Sequence, residues 1–324
     1  MKKINWGIIG CGDVTEVKSG PAFNKVPRSS LVAVMRRDAA RAQDYAQRHQ
    51  VPRWYSDAGQ LINDPEVNAI YIATPPSSHE AYAVAAIRAR KPVYVEKPMA
   101  LNFAAAQQMT MAAEMAGVPL VVAHYRREWP LFKKVQQLLA EKAIGEVRLA
   151  RLEFFKRPLL PEDLSIAKNA WRVDPAIAGG GLFHDLAPHQ LDLMFHFFGA
   201  AAKIKGIATN QSAQYAADDM VAGNILFDTG VAFSGAWCFA AGADCDRCEI
   251  IGSEGTIRFG FFSGHTIALT KGDQTTYFDF VPLQHVQQPM IEQVVKYFLN
   301  EAPNPCTGAA GAEIMRWMEA FTAK

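Results

Sequence analysis

Ile4-Asn5-Trp6-Gly7-Ile8-Ile9-Gly10-Cys11-Gly12-Asp13-Val14-Thr15 is the stretch on which the reading of this chain turns. An apolar run, Ile4 to Ile9, reads as a buried strand; it meets glycines at 10 and 12 and passes into a helical stretch. A tight turn in that setting aims backbone N–H groups and a helix N-terminus at a pyrophosphate. Gly10, Gly12, Asp13 and Val14 are therefore candidate dinucleotide contacts, the alternative being an ordinary glycine turn. Thr15 stands where a third small residue usually packs helix on strand.

Outward from this stretch, Leu31 to Met35, Ala69 to Ala73, Val93 to Val95 and Leu120 to Val122 are further short apolar runs. Amphipathic segments separate them: Ala39 to His49, Ser77 to Arg90 and Phe103 to Ala116. Strands that are apolar throughout and alternate with helices predict a parallel sheet covered on both faces, a doubly wound α/β domain. Gly117 followed by Pro119 ends one of the helices.

Beyond about residue 123 the pattern changes. Alternating β segments run over Val147 to Phe155, Met220 to Phe227, Val231 to Phe239 and Arg247 to Ile251, with helices at Leu131 to Glu141, Pro188 to Phe198, Pro289 to Asn300 and Ala309 to Thr322. Residues 1–122 are thus expected to form a dinucleotide-binding Rossmann domain and 123–324 an α+β domain with a mainly antiparallel sheet.

Composition fits two folded domains. The 324 residues are half apolar, and 33 Lys and Arg against 32 Asp and Glu leave a net charge of +1. That balance argues against a nucleic-acid-binding surface and against disorder. Without an apolar run of roughly 18 residues, no membrane span is expected. Met1-Lys2-Lys3 before Ile4 to Ile9 has the order of a signal peptide, but the apolar part is too short and Gly10 interrupts it. Five scattered cysteines form no disulfide framework, which points to a reducing cytoplasm. Cys245 and Cys248, with Cys238 upstream, have half of a zinc spacing; the other half is missing, and no metal is expected.

Four strand ends and loops carry chemistry. The second strand ends in Arg36-Arg37-Asp38. A guanidinium pair there suits the adenosine 2′-phosphate of NADP(H), so NADP(H) is the expected cofactor; the alternative is Asp38 on the ribose of NAD(H). Thr74, Pro75 and His79 follow the third apolar run at a carboxyl edge and are cofactor candidates, although Ser77 or Ser78 could cap the next helix with no ligand at all. Glu96-Lys97-Pro98 places a lysine at the next strand end, where it can reach a reacting oxygen and a nicotinamide.

The fourth region is Gly179-Gly180-Gly181 followed by His184, Asp185, His189, Asp192 and His196. On one helix at about 100° per residue, Asp185, His189, Asp192 and His196 fall within roughly 60° of one another. The readings are a solvent face, a metal site, or a carboxylate beside an imidazole general acid/base, with the triple glycine allowing a bound ring to approach.

With these motifs in this order the chain resembles the Gfo/Idh/MocA oxidoreductases, the family of glucose-fructose oxidoreductase and inositol dehydrogenase. The resemblance implies a Rossmann domain followed by an α+β domain with a large open sheet, and a sugar or polyol as substrate. It implies that Lys97, Asp185 and His189 are catalytic, that Glu96, Lys97, Trp171 and Arg172 reach the cofactor, and that Lys97, Tyr125, Arg172, Asp185 and His189 touch substrate. Tyr125 stands where many members carry Asn. A homodimer or higher homo-oligomer follows from an open sheet with more apolar surface than its helices cover. Two other functions share the fold: a cofactor-sensing regulator, against which Lys97, Asp185 and His189 together speak, and a redox-neutral glycosidase that retains NAD, against which Arg36-Arg37 speaks.

Overall fold

The computed structural model describes residues 2–323. They pack as two compact units, one of residues 2–125 with 283–315, the other of residues 126–282 with 316–323. The stretch from Leu283, grouped by sequence pattern with 123–324, thus packs back into the first unit, where Val121 bridges to Thr307 and the Val122 N–H donates to the Cys306 carbonyl. Nothing in the local pattern of that segment marks its return, because which sheet an amphipathic helix covers is a long-range choice.

The first unit contains β1 (Ile4–Ile9), β2 (Ser29–Met35), β3 (Arg53–Tyr55), β4 (Ala69–Ile72), β5 (Val93–Val95) and β6 (Leu120–Val122). Their order is β3-β2-β1-β4-β5-β6 and every neighbouring pair is parallel. Every residue of β4, β5 and β6 is buried, which is why these strands read as unbroken apolar runs. The chain reverses direction across the sheet between β1 and β4, so the carboxyl ends of those two strands open the crevice where such sheets take ligands. Phe103–Ala116 forms the expected helix and stops at Gly117, whose φ of +61° closes it. Sequence pattern did not single out β3, a short strand at the edge of the sheet, or the short helix Ala58–Asn63, whose Leu61 packs on Gly7 of β1.

The second unit contains β7 (Val147–Phe155), β8 (Ala201–Thr209), β9 (Met220–Phe227), β10 (Ala232–Cys238), β11 (Cys245–Gly252), β12 (Thr256–Phe259), β13 (Thr266–Lys271) and β14 (Gln274–Asp279). They form one sheet in the order β14-β13-β12-β11-β7-β10-β9-β8, antiparallel except where β7 meets β10. One face is aromatic core: Phe183 meets Trp237 edge-on at 5.2 Å, and Phe198 packs on Phe227 at the same distance. The other face alternates with it and carries ion pairs between Arg151, Glu249 and Arg258 and between Arg247 and Glu153. Cys245 and Cys238 lie at the ends of this arrangement, paired to opposite sides of Phe155, and all five thiols are free. The strands β8 and β14 are the outermost strands of the sheet, where Lys203, Lys205, Thr275 and Thr276 break the apolar pattern of a covered strand.

Candidate cofactor and substrate site

The glycine turn follows β1 directly. Gly10 has φ +94°, and a Cβ there would lie 2.6 Å from Thr74 Cγ2 and 2.9 Å from the backbone after β4, so glycine is required by the protein's own packing. Gly12 differs. Its backbone is extended, and a Cβ would have only the Gly10 carbonyl oxygen near it, at 4.0 Å. The protein leaves a cradle beside Gly12 that a methyl group would fill, and the N–H groups of Asp13 and Val14 in the first turn have no intrahelical acceptor. These features fit a pyrophosphate.

The expected helix after this turn is a single turn, Asp13–Glu16. Gly20-Pro21 ends the run: a Cβ at Gly20 would meet the Thr15 carbonyl oxygen at 2.2 Å and the Tyr45 hydroxyl at 2.3 Å. Thr15 is fully buried, its hydroxyl donating to the Gly12 carbonyl at 2.8 Å and its own carbonyl accepting from Tyr45. The threonine thus closes the loop that a smaller residue would leave open.

Arg36 leaves the end of β2 and donates to the Cys11 carbonyl at 3.3 Å, which lays its guanidinium along the glycine turn. Arg37 is exposed. The Asp38 carboxylate is engaged as the cap of the helix Ala39–Arg48, accepting from the Arg41 N–H at 3.1 Å and pairing with the Arg41 guanidinium.

After β4, the Ser78 hydroxyl donates back to Thr74 Oγ1 at 2.8 Å instead of capping a helix. His79 is fully buried, with Nε2 2.7 Å from the Thr74 carbonyl and Nδ1 3.1 Å from the Pro98 carbonyl. Burial lowers its pKa to about 4, and the neutral ring, with a single N–H, can donate to only one of these two carbonyls. It has no surface left for direct contact with a ligand. Pro75 is half-buried at the start of that loop.

At the end of β5 the Glu96 carboxylate is buried. It accepts from Tyr71 at 2.5 Å, from Gln287 at 2.5 Å and from the Lys97 N–H at 3.2 Å. Lys97 itself is half-buried, and Tyr125 is buried where β6 gives way to the turn Tyr125–Glu128.

In the second unit the helix Gly181–Phe198 carries the acid and imidazole stripe and starts earlier than its sequence pattern, at the triple glycine. Space beside those glycines is taken by protein: a Cβ at Gly180 would strike the His184 ring and one at Gly181 would strike Ala217. The triple glycine therefore serves packing within the unit. His184 is buried with its pKa lowered to about 4 by desolvation, and its Nδ1 lies 3.1 Å from the Gly180 carbonyl.

Asp185 accepts from Arg172 Nε at 3.1 Å, and the Arg172 guanidinium lies 4.5 Å from the Trp171 ring centre. His189 is buried and meets Phe262 edge-on at 5.7 Å. Asp192 accepts two bonds from Arg127, at 2.9 and 2.6 Å, in a pair almost closed to water. The stripe is not a solvent face. Its upper half is Asp185 and His189, while Asp192 is held by a structural cation.

Sequence reasoning missed the groups around this stripe. Arg126 is sandwiched between Trp129 and Phe262, at 4.2 and 4.4 Å, and donates to the Phe261 carbonyl at 2.5 Å. Asp246 holds the same loop by accepting from the N–H groups of Phe261, Phe262 and Ser263. The adjacent pair Arg126-Arg127 was the available signal. Trp237 is core, its indole N–H donating to Gln190 Oε1 at 2.6 Å.

A six-stranded parallel sheet in this order, with an open glycine cradle at its switch point, defines a dinucleotide-binding Rossmann fold. Residues 4–124 match the model described as "Oxidoreductase family, NAD-binding Rossmann fold", and residues 132–258 match the GFO/IDH/MocA C-terminal domain. The chain belongs to the GFO/IDH/MocA oxidoreductase family and is an NAD(P)-dependent dehydrogenase or reductase. It is 46% identical to "Oxidoreductase P35" of Formosa agariphila over 98% of both chains. It is 27% identical to trans-1,2-dihydrobenzene-1,2-diol dehydrogenase of Danio rerio over 99% of this chain and 93% of the other. Among solved structures, aldose-aldose oxidoreductase of Caulobacter crescentus, complexed with glycerol, superposes with a TM-score of 0.87 at 21% identity over 98% of this chain and 96% of that one. Among the described residues no helix is long and apolar enough to cross a membrane.

Proposed function

We propose that the protein transfers a hydride between NADP(H) and a sugar, polyol or related hydroxy/carbonyl compound, with Lys97, Asp185 and His189 as the working side chains. Two preorganised groups support the reading, each within its own unit: Lys97, whose backbone is tethered to a buried carboxylate, and His189, a buried imidazole one turn beyond an Arg172-bound Asp185. The relatives' names point to compounds with neighbouring hydroxyls, a dihydrodiol in one case and an aldose in another.

Bound nicotinamide supplies or accepts the hydride. The residues handle the rest. In oxidation the substrate hydroxyl gives its proton to His189 as the C–H bond is lost; in reduction His189 returns a proton to the new alkoxide oxygen. Lys97 stabilises the developing alkoxide as a fixed cation. Asp185 and Arg172 orient the substrate hydroxyls.

Gly10, Gly12, Asp13, Val14, Thr74 and Pro75 line the cofactor's path in the first unit, and Trp171 and Arg172 are further proposed cofactor contacts. Glu96 and His79 act from behind, through Lys97 and Thr74. The preference for NADP(H) over NAD(H) is supported by Arg36 on the glycine turn and by Asp38, whose carboxylate is spent on a helix cap. The protein works as a homo-oligomer through the second unit.

A panel of aldoses, ketoses, inositols, dihydrodiols and dicarbonyls followed by NADPH fluorescence finds the substrate. His189→Ala and Lys97→Ala are then expected to lose about a hundred- to a thousandfold in turnover with cofactor binding kept. Turnover within about threefold of wild type in either variant overturns the assignment, that range being ordinary for a residue outside the chemistry. A monomer mass by light scattering at micromolar concentration overturns the oligomer.

A further inference from the structure

Gln287 sits in the first unit but arrives from the far end of the chain, in the segment that packs back beside the glycine turn. It is fully buried. Its backbone N–H donates to the Lys18 carbonyl at 3.1 Å, and two residues earlier His285 Nδ1 lies 2.6 Å from the Val17 carbonyl while its Nε2 meets Lys25 at 2.5 Å. The segment is therefore fixed to the loop after the glycine turn before its side chain is considered.

That side chain has one workable orientation. The Tyr94 hydroxyl donates to Gln287 Oε1 at 3.1 Å, which leaves Gln287 Nε2 to donate to Glu96 Oε1 at 2.5 Å. Reversing the amide would set its oxygen against a carboxylate. Tyr71 donates to the same Glu96 oxygen at 2.5 Å, and the other oxygen accepts the Lys97 N–H at 3.2 Å. A carboxylate this deeply buried keeps its position only while donors replace its water.

We propose that Gln287 is a positioning residue for Lys97: it holds the Glu96 carboxylate whose other oxygen fixes the backbone from which Lys97 leaves the sheet. The inference rests on the reading of Lys97 as a site residue and adds to it a requirement from the chain's return segment. Glu96 does not touch the reaction; it is the hinge pin, and Gln287 with Tyr71 keeps it seated. The titratable groups around it are Tyr71 and Tyr94, both pushed well up by burial and by Glu96, with Cys306 and Tyr125 acting on Tyr94, and Lys97 next in the chain. The two phenols thus stay protonated and donating at any pH at which the enzyme is handled.

The isosteric Gln287→Glu separates this role from simple packing. It sets two carboxyl groups against each other in a buried site, so the pair must share a proton to fit, and the pKa for losing that proton rises above the usual carboxyl range. While the proton is held, the pair reproduces the native hydrogen bond. When it leaves, repulsion parts them and Lys97 loses its anchor.

The experiment uses the full chain without ligand first. Lysines are reductively methylated with ¹³C-formaldehyde, and the Lys97 signal is assigned by its absence in Lys97→Arg. In Gln287→Glu the Lys97 signal should coincide with wild type at the acid end of the folded range and move away with rising pH through a titration that wild type lacks. Tyr71→Phe, which removes one donor without adding a charge, should displace the signal at every pH. With a turnover substrate, Gln287→Glu should lose about tenfold in kcat at high pH with KM and the NADPH dissociation constant within about threefold, and regain kcat on acidification. If Gln287→Glu does not fold by circular dichroism, Tyr71→Phe decides alone. A Lys97 signal unchanged from wild type in the folded variants overturns the inference, as does a kcat–pH profile that superposes on wild type. Lys97→Ala run alongside tells the two failures apart: if it retains turnover, the reading of Lys97 falls and the inference with it; if it is inactive while Gln287→Glu follows wild type, only the inference falls.

Discussion

Two glycines two residues apart should fail in opposite ways when changed to alanine. At Gly10 the new Cβ must occupy a backbone with φ +94° and lies 2.6 Å from Thr74 Cγ2 and 2.9 Å from both Ala73 C and Thr74 N. The conformation alone costs about 1–2 kcal/mol, and overpacking against a backbone that cannot turn aside adds about 1–3 kcal/mol. Gly10→Ala should therefore lose about 2–5 kcal/mol of stability, a sum of those two terms. At Gly12 the backbone, φ −131° and ψ −158°, is open to any residue, and no protein atom lies closer than 4.0 Å to the added methyl. Reduced freedom of the unfolded chain favours alanine by about 0.4–1 kcal/mol, while a poorer N-cap disfavours it by a similar amount, so stability stays within about 1 kcal/mol of wild type. On the proposed reading, what the methyl displaces is the pyrophosphate. Each charge-assisted hydrogen bond lost costs about 1.5–3 kcal/mol, or roughly ten- to a hundredfold in affinity. Denaturant melts and NADPH fluorescence titration on both variants read the two quantities independently. A Gly12→Ala protein that binds NADPH as tightly as wild type would refute the assignment of the cradle; one that melts several kcal/mol lower would show that the space beside Gly12 is needed by the protein itself.

Three further outcomes are expected. Arg36→Asp should lose the preference for NADP(H), since a charge-assisted phosphate contact is worth about ten- to a hundredfold; titration with both cofactors checks it, and an unaltered ratio sinks it. Asp192→Ala should destabilise by about 3–5 kcal/mol by leaving Arg127 buried without its carboxylate, whereas Arg127→Met combined with Asp192→Leu should recover most of the loss; urea melts of the single and double variants decide, and equal losses count against the reasoning. His79 and His184 are neutral in the fold, with pKa values lowered to about 4 from 6.5. Between those values the unfolded chain holds the extra protons, so stability is complete above pH 6.5, falls as pH drops toward 4, and loses up to about 3 kcal/mol per histidine. His79→Gln should flatten the fall in Tm between pH 7 and 4.5; an identical fall in the variant shows that other groups carry it.

The fold was legible because its strands obey a rule that acts locally. A strand covered on both faces is apolar along its length, and β4, β5 and β6 stand out in the sequence for that reason, as does β1 apart from the half-buried Asn5, and as the half-covered β7, β9 and β10 do by alternation. The glycine turn, Lys97 and the Asp185–His189 spacing were legible for a related reason: turn geometry and helical periodicity are set by neighbours in the chain. Short and polar edge elements such as β3, β8 and β14 carry no such demand.

Sequence by itself determined the two-part architecture, the family and the residue types at the strand ends. Only tertiary structure decided what each of them does. It turned Asp38 into a helix cap and His79 into a buried ring beside the Thr74 and Pro98 carbonyls, gave Asp192 to Arg127, filled the space at the triple glycine with His184 and Ala217, and brought Gln287 from the far end of the chain onto Glu96. The physical reason is one of range. Backbone conformation and burial pattern are dictated by residues a few positions away, whereas the partner of a buried polar group is whatever donor or acceptor the closed fold leaves within about 3 Å.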